Sequence, residues 1–496
     1  MISSCIVLLG VIPLLFVSYL AATTCQIIAS TTNITIEYPL SLSYSTDQFE
    51  YWSSDCGRLQ PSCILVPTSS EDVATIINVL NTNNETFAIK AGGHNPNQYY
   101  SSVDSGPLIN LKGLNEVVYD ASTSTAKVGP GNRWTDVIKA LELDGVTVVG
   151  GRIGHVGVGG YIVGGGLSYL STQYGWAMNN VAEMEVVLAN GSIVTASSST
   201  NTDLYKALKG GGNNFGIVTT YTLITHPLGT VWGGNLIFGS DKTDDLLLAI
   251  RNFTENYPDD KAAIIATNEI TLSSLANIWI LFLFYDGASP PPGTFDVFTS
   301  LSPTLSTTGP QNYSTLVSAE DDLVITGQIY TIMTEMSPLP TSTHGHEIMR
   351  AYYDQYYNTT LSNSLIPGLV ATIAFQPLPR RLASHALAQG GDLLSLTPDI
   401  DRILFEVDFS YDFPADDEAI NESVKGIFTG LRALERGFVG EGKLVDGYVP
   451  LFMNDANFQQ DYWSRLGAGT AEWARGVREG VDPGGLWRDR TGGFKM

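Results

Sequence analysis

The sequence has 496 residues, 44% of them apolar and 15% charged, and a formal net charge of −24. That length exceeds one compact core, so two or three domains are expected. With no basic excess to neutralise phosphates, the balance argues against a nucleic-acid partner and fits a soluble chain with an acidic surface.

Residues 5–22 are almost wholly apolar, the first charged side chain is Glu37, and small residues follow the run at Ala21, Ala22 and Thr23. This reads as a secretory signal over 1–24, cleaved within 20–25, although the Lys or Arg usual at its start is missing. Seven Asn-x-Ser/Thr sequons, at Asn33, Asn84, Asn190, Asn252, Asn312, Asn358 and Asn421, point the same way, to a secreted or secretory-pathway glycoprotein. Once Cys5 has left with the signal, three cysteines allow one disulfide, Cys56–Cys63 or Cys25–Cys63. No His/Cys cluster has zinc spacing, so no metal is expected.

A strand is predicted at 64–66, broken by Pro67, followed by a helix capped by Ser69 or Ser70 with Val73, Ile76, Ile77 and Leu80 on one face. A strand at 87–90 then runs into Ala91-Gly92-Gly93-His94. Strands at 116–119 and 125–128 precede a helix whose apolar face is Trp134, Val137, Ile138 and Leu141. Strands at 183–188 and 193–196 flank Asn190-Gly191, a hairpin signal. A short helix at 204–209 leads into Gly210–Gly216. From about 230 the glycine clusters stop, and long strands (277–285, 402–411) alternate with helices (244–257, 417–436) around a Pro-rich loop at 289–293. That texture is α+β with an antiparallel sheet. The tail, 445–496, returns to glycine turns and carries a helix at 471–480 that stops before Asp482-Pro483.

Glycine concentrates in three segments, 92–93, 150–166 and 210–216, each beside a predicted strand. Glycine lets backbone N–H groups approach a ligand with no Cβ in the way, and strings of them suit a pyrophosphate. Three clusters therefore favour a nucleotide-type cofactor. GxGxxG fails in every cluster; after Gly157 and Gly159, Ile162 stands where the last glycine belongs, and GxxxxGK[ST] is absent. Dinucleotide binding of the Rossmann kind and P-loop phosphoryl transfer are thereby disfavoured.

The run Ile89-Lys90-Ala91-Gly92-Gly93-His94 resembles the first loop of the vanillyl-alcohol-oxidase-type (PCMH-type) FAD-binding domain, in its berberine-bridge-enzyme-like and oligosaccharide-oxidase branch. The resemblance continues in order through Val128-Gly129-Pro130-Gly131-Asn132, Val149-Gly150-Gly151-Arg152, Gly157-Val158-Gly159-Gly160-Tyr161 and Gly164-Gly165-Gly166-Leu167-Ser168. Tyr174-Gly175-Trp176-Ala177, 185–192 and Gly212-Asn213-Asn214-Phe215-Gly216-Ile217-Val218-Thr219 extend it. In the tail, 452–457 and Asp482-Pro483-Gly484-Gly485 are similar to fungal members.

The resemblance implies a two-part FAD-binding domain (58–230), a substrate domain with an antiparallel sheet covered by helices (231–440), and a C-terminal segment (441–496) returning to the FAD domain. It implies FAD joined through its 8α-methyl to His94. It also implies a flavin site of Lys90, Ala91, Gly92, Gly93, His94, Asn95, Gly150, Gly151, Gly157, Gly159, Gly160, Gly164, Gly165, Gly216, Ile217, Val218 and Asn454. Some members add a second bond from a cysteine; alignment puts Ile153 there, and Cys25, Cys56 and Cys63 all precede the flavin loop, so a single bond is expected. Val156 falls where a small side chain lines oxygen access in oxidases.

Such a flavin takes a hydride from a carbon while a base takes the proton. That base should come from the middle domain or the tail. Gln376 matches the place of an active-site acid or amide, but glutamine is no strong base, which leaves Tyr448 as a candidate. Asn454 and Asp455 either meet the flavin edge or cap a turn. The expected activity is oxidation of an alcohol-type small molecule (a sugar, an oligosaccharide or a secondary metabolite) with O2 as acceptor. The alternatives are a dehydrogenase or oxidative cyclase, and a flavin-binding protein without turnover.

Overall fold

The computed structural model describes residues 22–271, 276–321 and 327–496. The apolar run expected to be a signal lies, up to residue 21, outside the described residues.

The first sheet joins β1 (Thr35–Glu37), β2 (Cys63–Val66), β3 (Ala88–Lys90) and β4 (Pro107–Asn110) in the order β1-β2-β4-β3. β4 lies parallel to β2 and β3, and β1 is antiparallel to β2. The crossover from β2 to β3 is the helix Ser70–Thr82, capped by Ser69 through the Asp72 N–H. Its buried face is Val73, Ile76, Ile77 and Leu80, as the spacing predicts. Each such side chain contributes roughly 1.5–3 kcal/mol by leaving water. Cys25 pairs with Cys63, and Cys56 is the free, buried thiol.

The second sheet is antiparallel. β5 (Val117–Asp120), β6 (Thr125–Val128), β7 (Val146–Val148), β8 (Val181–Val187), β9 (Ile193–Ser197) and β10 (Ile217–Pro227) take the order β5-β6-β10-β8-β9, with β7 also on β10. The β8–β9 hairpin turns at Asn190-Gly191, where Gly191 has φ +77°.

The third sheet is antiparallel and larger. It contains β11 (Val231–Gly239), β12 (Ala262–Thr271), β13 (Ala276–Tyr285), β14 (Leu305–Ser306), β15 (Gly309–Gln311), β16 (Ile329–Pro338), β17 (Val370–Leu378) and β18 (Arg402–Tyr411). Its order is β14-β11-β13-β12-β17-β18-β16, with β15 also on β11. Side chains alternate between the two faces of a strand. On β18, Phe405, Val407 and Phe409 join the core formed with the helices Thr243–Glu255, Gly345–Ser362 and Asp417–Gly440. Leu404 and the other even-numbered positions face the opposite way, toward the core built on the second sheet. Glu406 and Asp408 therefore look away from the helices, into the space between the large sheet and the glycine-rich half.

The tail closes that space. Asn457 donates to Ile332 O at 2.8 Å, and Gln460 donates to Thr334 O at 2.6 Å on β16. Glu335 on the same strand holds Arg465 through two bonds of 2.9 and 2.8 Å. Asn97, in the loop after His94, donates to Ala456 O at 3.0 Å and accepts from Phe458 N at 2.9 Å.

Candidate active site

A cavity forms where five stretches of chain converge: the loop after β3, the glycine stretch 151–167, the loop 212–218, one face of β16 and β18, and the tail. Much of one wall is backbone. A Cβ on Gly92 would lie 2.4 Å from Gly157 Cα, and one on Gly157 would lie 2.4 Å from Gly92 Cα. Two loops 65 residues apart thus touch main chain to main chain, a contact only glycine permits. Gly93 turns the first loop with φ +66°. A Cβ on Gly160, by contrast, would meet nothing within 4 Å, so its backbone faces open space. A wall of this kind fits a large flat group lying close to main-chain N–H groups.

Of the residues predicted for the flavin site, Ala91, Gly92, Gly93, His94, Asn95, Gly151, Gly157, Gly159, Gly160, Gly164, Gly216, Ile217, Val218 and Asn454 line this cavity, as do Ile153 and Val156. Lys90, Gly150 and Gly165 do not. Lys90 points behind the loop, donating to Asp47 O at 2.7 Å and lying 4.2 Å over the Tyr51 ring; burial pulls its pKa down to about 8. Gly150 is small because Trp134 fills the place of its side chain, 2.6 Å from a Cβ, and Gly165 because Phe452 does, at 2.9 Å. Asn454 fastens the glycine stretch, accepting from Gly166 N at 3.0 Å and donating to Tyr161 O at 3.2 Å.

His94 stacks on Trp52 at 4.6 Å and 15°, and Trp52 stacks in turn on Tyr330 at 4.3 Å. Its Nε2 lies 3.1 Å from His155 Nε2, and His155 Nδ1 lies 2.9 Å from Asp321 Oδ1. Burial holds the His94 imidazole well below its ordinary pKa, and His155 and Arg133 push the same way, so the ring is neutral at pH 7. Although Cys56 is distant in sequence, its thiol packs under this loop, 3.4 Å from Pro96 O. It does not line the cavity, and burial pushes its pKa up to about 12.

The opposite wall carries carboxylates. Glu406 and Asp408 project from β18 and Asp455 from the tail. Burial raises all three pKa values, and for Asp408 and Asp455 the neighbouring Glu406 adds to the rise. Glu406 rises least freely, because Arg152 and the Gln376 amide oppose the shift. Gln376 Nε2 donates to Glu406 Oε2 at 2.7 Å, and Arg152 donates to Gln376 Oε1 at 2.5 Å. Of the three, Glu406 is the one equipped to be ionised.

The two predicted catalytic residues fall elsewhere. Gln376 sits behind Glu406 and supports it rather than lining the cavity. Tyr448 is off the cavity: its carbonyl accepts from Arg402 at 2.8 Å, and burial pushes its phenol up to about 12. The glutamine amide is no base and burial pushes the Tyr448 phenol away from ionisation, whereas the carboxylates Glu406, Asp408 and Asp455 line the cavity. One signal for them was available: Glu406 and Asp408 stand two apart in an apolar strand and so share a face. His155, one of six histidines, stands in a glycine loop; nothing in the sequence marked Asp321 as its partner.

Residues 61–197 match the FAD binding domain family model. An uncharacterised FAD-linked oxidoreductase of Arthroderma benhamiae is 41% identical over 93% of this chain and 93% of its own. An FAD-dependent monooxygenase of Aspergillus calidoustus is 30% identical over 88% of this chain and 83% of its own. Among solved structures, berberine bridge enzyme from Eschscholzia californica superposes with a TM-score of 0.73 over 95% of this chain and 99% of its own, at 16% identity. The chain belongs to the FAD-linked oxidoreductases that carry this FAD binding domain, and it shares the fold of berberine bridge enzyme.

Proposed function

We propose that this chain is a secreted oxidase that holds FAD by a single covalent bond at His94 and oxidises an alcohol-type small molecule, with O2 as final acceptor. One observation carries the reading: a neutral histidine on the backbone wall and a buried carboxylate on the sheet wall line the same cavity. Bound FAD supplies the hydride acceptor. Glu406 takes the hydroxyl proton as the C–H bond breaks. Arg152 and Gln376 keep Glu406 ionised and aimed, while Asp408 and Asp455, protonated, donate hydrogen bonds to the substrate's oxygens. Ile153, in the place of a second attachment point, supports one bond, and Val156 on the same wall supports access of O2. Export is supported by the apolar start and by the exposure of Asn33, Asn84, Asn190, Asn312 and Asn358 among the sequon asparagines.

Acid denaturation tests the central claim. Yellow colour should stay with the polypeptide, on a peptide containing His94, and His94→Ala should release all its flavin; colour leaving the wild type with the supernatant would sink the reading. A second reading, oxygen transfer in secondary metabolism, is favoured by the fungal relatives named FAD-dependent monooxygenases. Turnover under 18O2 separates the two: an oxidase leaves the label in hydrogen peroxide, a monooxygenase in the product.

A further inference from the structure

We propose that a surface groove, sharing no lining residue with the active-site cavity, seats an N-linked glycan that this chain carries on Asn190. The proposal rests on the export reading above. The groove has a volume of about 1010 Å³ and lies between the β8–β9 hairpin, the helix Thr202–Leu208 and the helix Thr470–Val481. Leu188 and Val194 line it from the hairpin, Asp203 from the first helix, and Glu472 and Trp473 from the second. Trp473 is half-buried, and Lys206 Nζ lies 5.1 Å over its ring, which steadies the indole. A Cβ on Gly476 or Gly480, one and two turns further along, would meet nothing within 4 Å, so that stretch of the groove is bare main chain. A pyranose ring has apolar C–H faces and a rim of hydroxyls. An indole suits the first, and the exposed carboxylates of Asp203 and Glu472 accept from the second. Two acidic side chains on a chain of net charge −24 make the same groove a poor seat for a second copy of this chain.

Asn190 is placed to deliver such a ring. It opens the sequon Asn190-Gly191-Ser192 and follows Leu188 by two residues, so their Cα atoms are at most about 7.6 Å apart. The turn is pinned. Leu188 N donates to Ser192 O and Gly191 N to Leu188 O, each at 2.9 Å, and Asn81 on the crossover helix donates to Ala189 O at 2.6 Å. Asn190 is exposed, and its Oδ1 accepts from Ser192 N at 3.0 Å, leaving Nδ2 to take the sugar. In that transfer an Nδ2–H bond gives way to a bond to the anomeric carbon of the first sugar. The secretory pathway's lipid pyrophosphate donor leaves with the electron pair of its sugar bond and takes up the proton. A pinned attachment point beside the groove makes docking intramolecular, so contacts too weak to hold a free sugar suffice for a tethered one.

The test uses the full chain with its own N-terminal segment, expressed in a yeast. Glycopeptide masses give the occupancy of each sequon, and an endoglycosidase acting on the native protein gives the rate of release at each. Asn190 should be occupied, and its glycan should be released at least ten-fold more slowly from wild type than from Trp473→Ala. Release at Asn33, Asn84 and Asn358 should be the same in both proteins. Ser192→Ala removes the sequon but keeps the turn, whose bonds at Ser192 are made by its backbone. It should lower the melting temperature of the wild type and leave that of Trp473→Ala unchanged. Equal release at Asn190 from wild type and Trp473→Ala, or a bare Asn190 beside occupied sequons, would overturn the proposal. Should Trp473→Ala not fold, Trp473→Leu is read by the same criterion. A chain kept inside the cell with all seven sequons bare overturns the export reading and the proposal with it, an outcome distinct from equal release.

Discussion

The wall that carries His94 is made of backbone, whereas the wall that carries Glu406 is made of side chains on a rigid sheet. On the first, glycines bring main chain against main chain, as at Gly92 and Gly157, and the surface is shaped before any side chain is considered. On the second, strand alternation puts Glu406 and Asp408 on the cavity face, and Gln376 on β17 trims the direction of one of them. The first wall can recognise what all members of a cofactor class share. The second can change its chemistry by one substitution without disturbing the fold, because β18 is paired along its whole length with β16 and β17.

The walls can be broken separately. The largest effect is expected from Glu406→Gln, which should lower kcat/KM by about 10²–10⁴ while leaving flavin content and its attachment at wild-type levels. The pH profile carries the same information. Glu406 must be ionised to act and its pKa is raised, so wild-type activity should climb with pH through a value above 4.5. The variant should lose that limb. A Glu406→Gln protein with full activity would remove Glu406 as the base and leave Asp408 and Asp455 to be tested.

Gly157→Ala is the reverse experiment. Its new Cβ meets backbone on the other loop, with no flexible end to give way, and should cost about 1–3 kcal/mol in stability together with flavin loading. Molecules that do carry flavin should turn over normally. Gly160→Ala sharpens the contrast: nothing stands near its Cβ, so melting should be unchanged while flavin content falls. Equal flavin content in Gly160→Ala and wild type would show that this wall does not face the cofactor.

The two walls also differ in how legible they were. Backbone proximity needs a residue type, and glycine is visible in a sequence, so most of the residues expected at the flavin line the cavity. Of the exceptions, Lys90 points behind the loop, Gly150 gives its space to Trp134, and Gly165 has φ +126° with Phe452 beside it; sequence does not distinguish a glycine that faces a ligand from one that faces an indole. Side-chain chemistry needs three-dimensional neighbours. Gln376 was found by its place in a motif, but its role depends on Glu406, 30 residues away on the next strand. Cys56 shows the same limit: 39 residues before Asn95, its thiol still packs beneath that loop.

The smallest effect concerns the shell behind the histidine wall. Glu320 is buried at the end of the helix Tyr313–Asp321, beside the Asp321 that holds His155. Burial raises its pKa to about 8, with Asp321 adding to the rise and Asn235 opposing it. Between its ordinary value of 4.5 and about 8 the folded chain holds a proton that the unfolded chain has lost. Stability from this group is therefore fully present below pH 4.5, falls as pH rises to 8, and is flat above. Glu320→Gln keeps the neutral form at every pH and should remove that slope. The gain over wild type should be absent near pH 4.5 and grow as the pH rises to 8, read as a widening difference between the two melting temperatures. Because the change lies behind His155 and off both walls, turnover and flavin content should stay as they are. A loss of flavin content in Glu320→Gln would show instead that this carboxyl group supports the histidine wall.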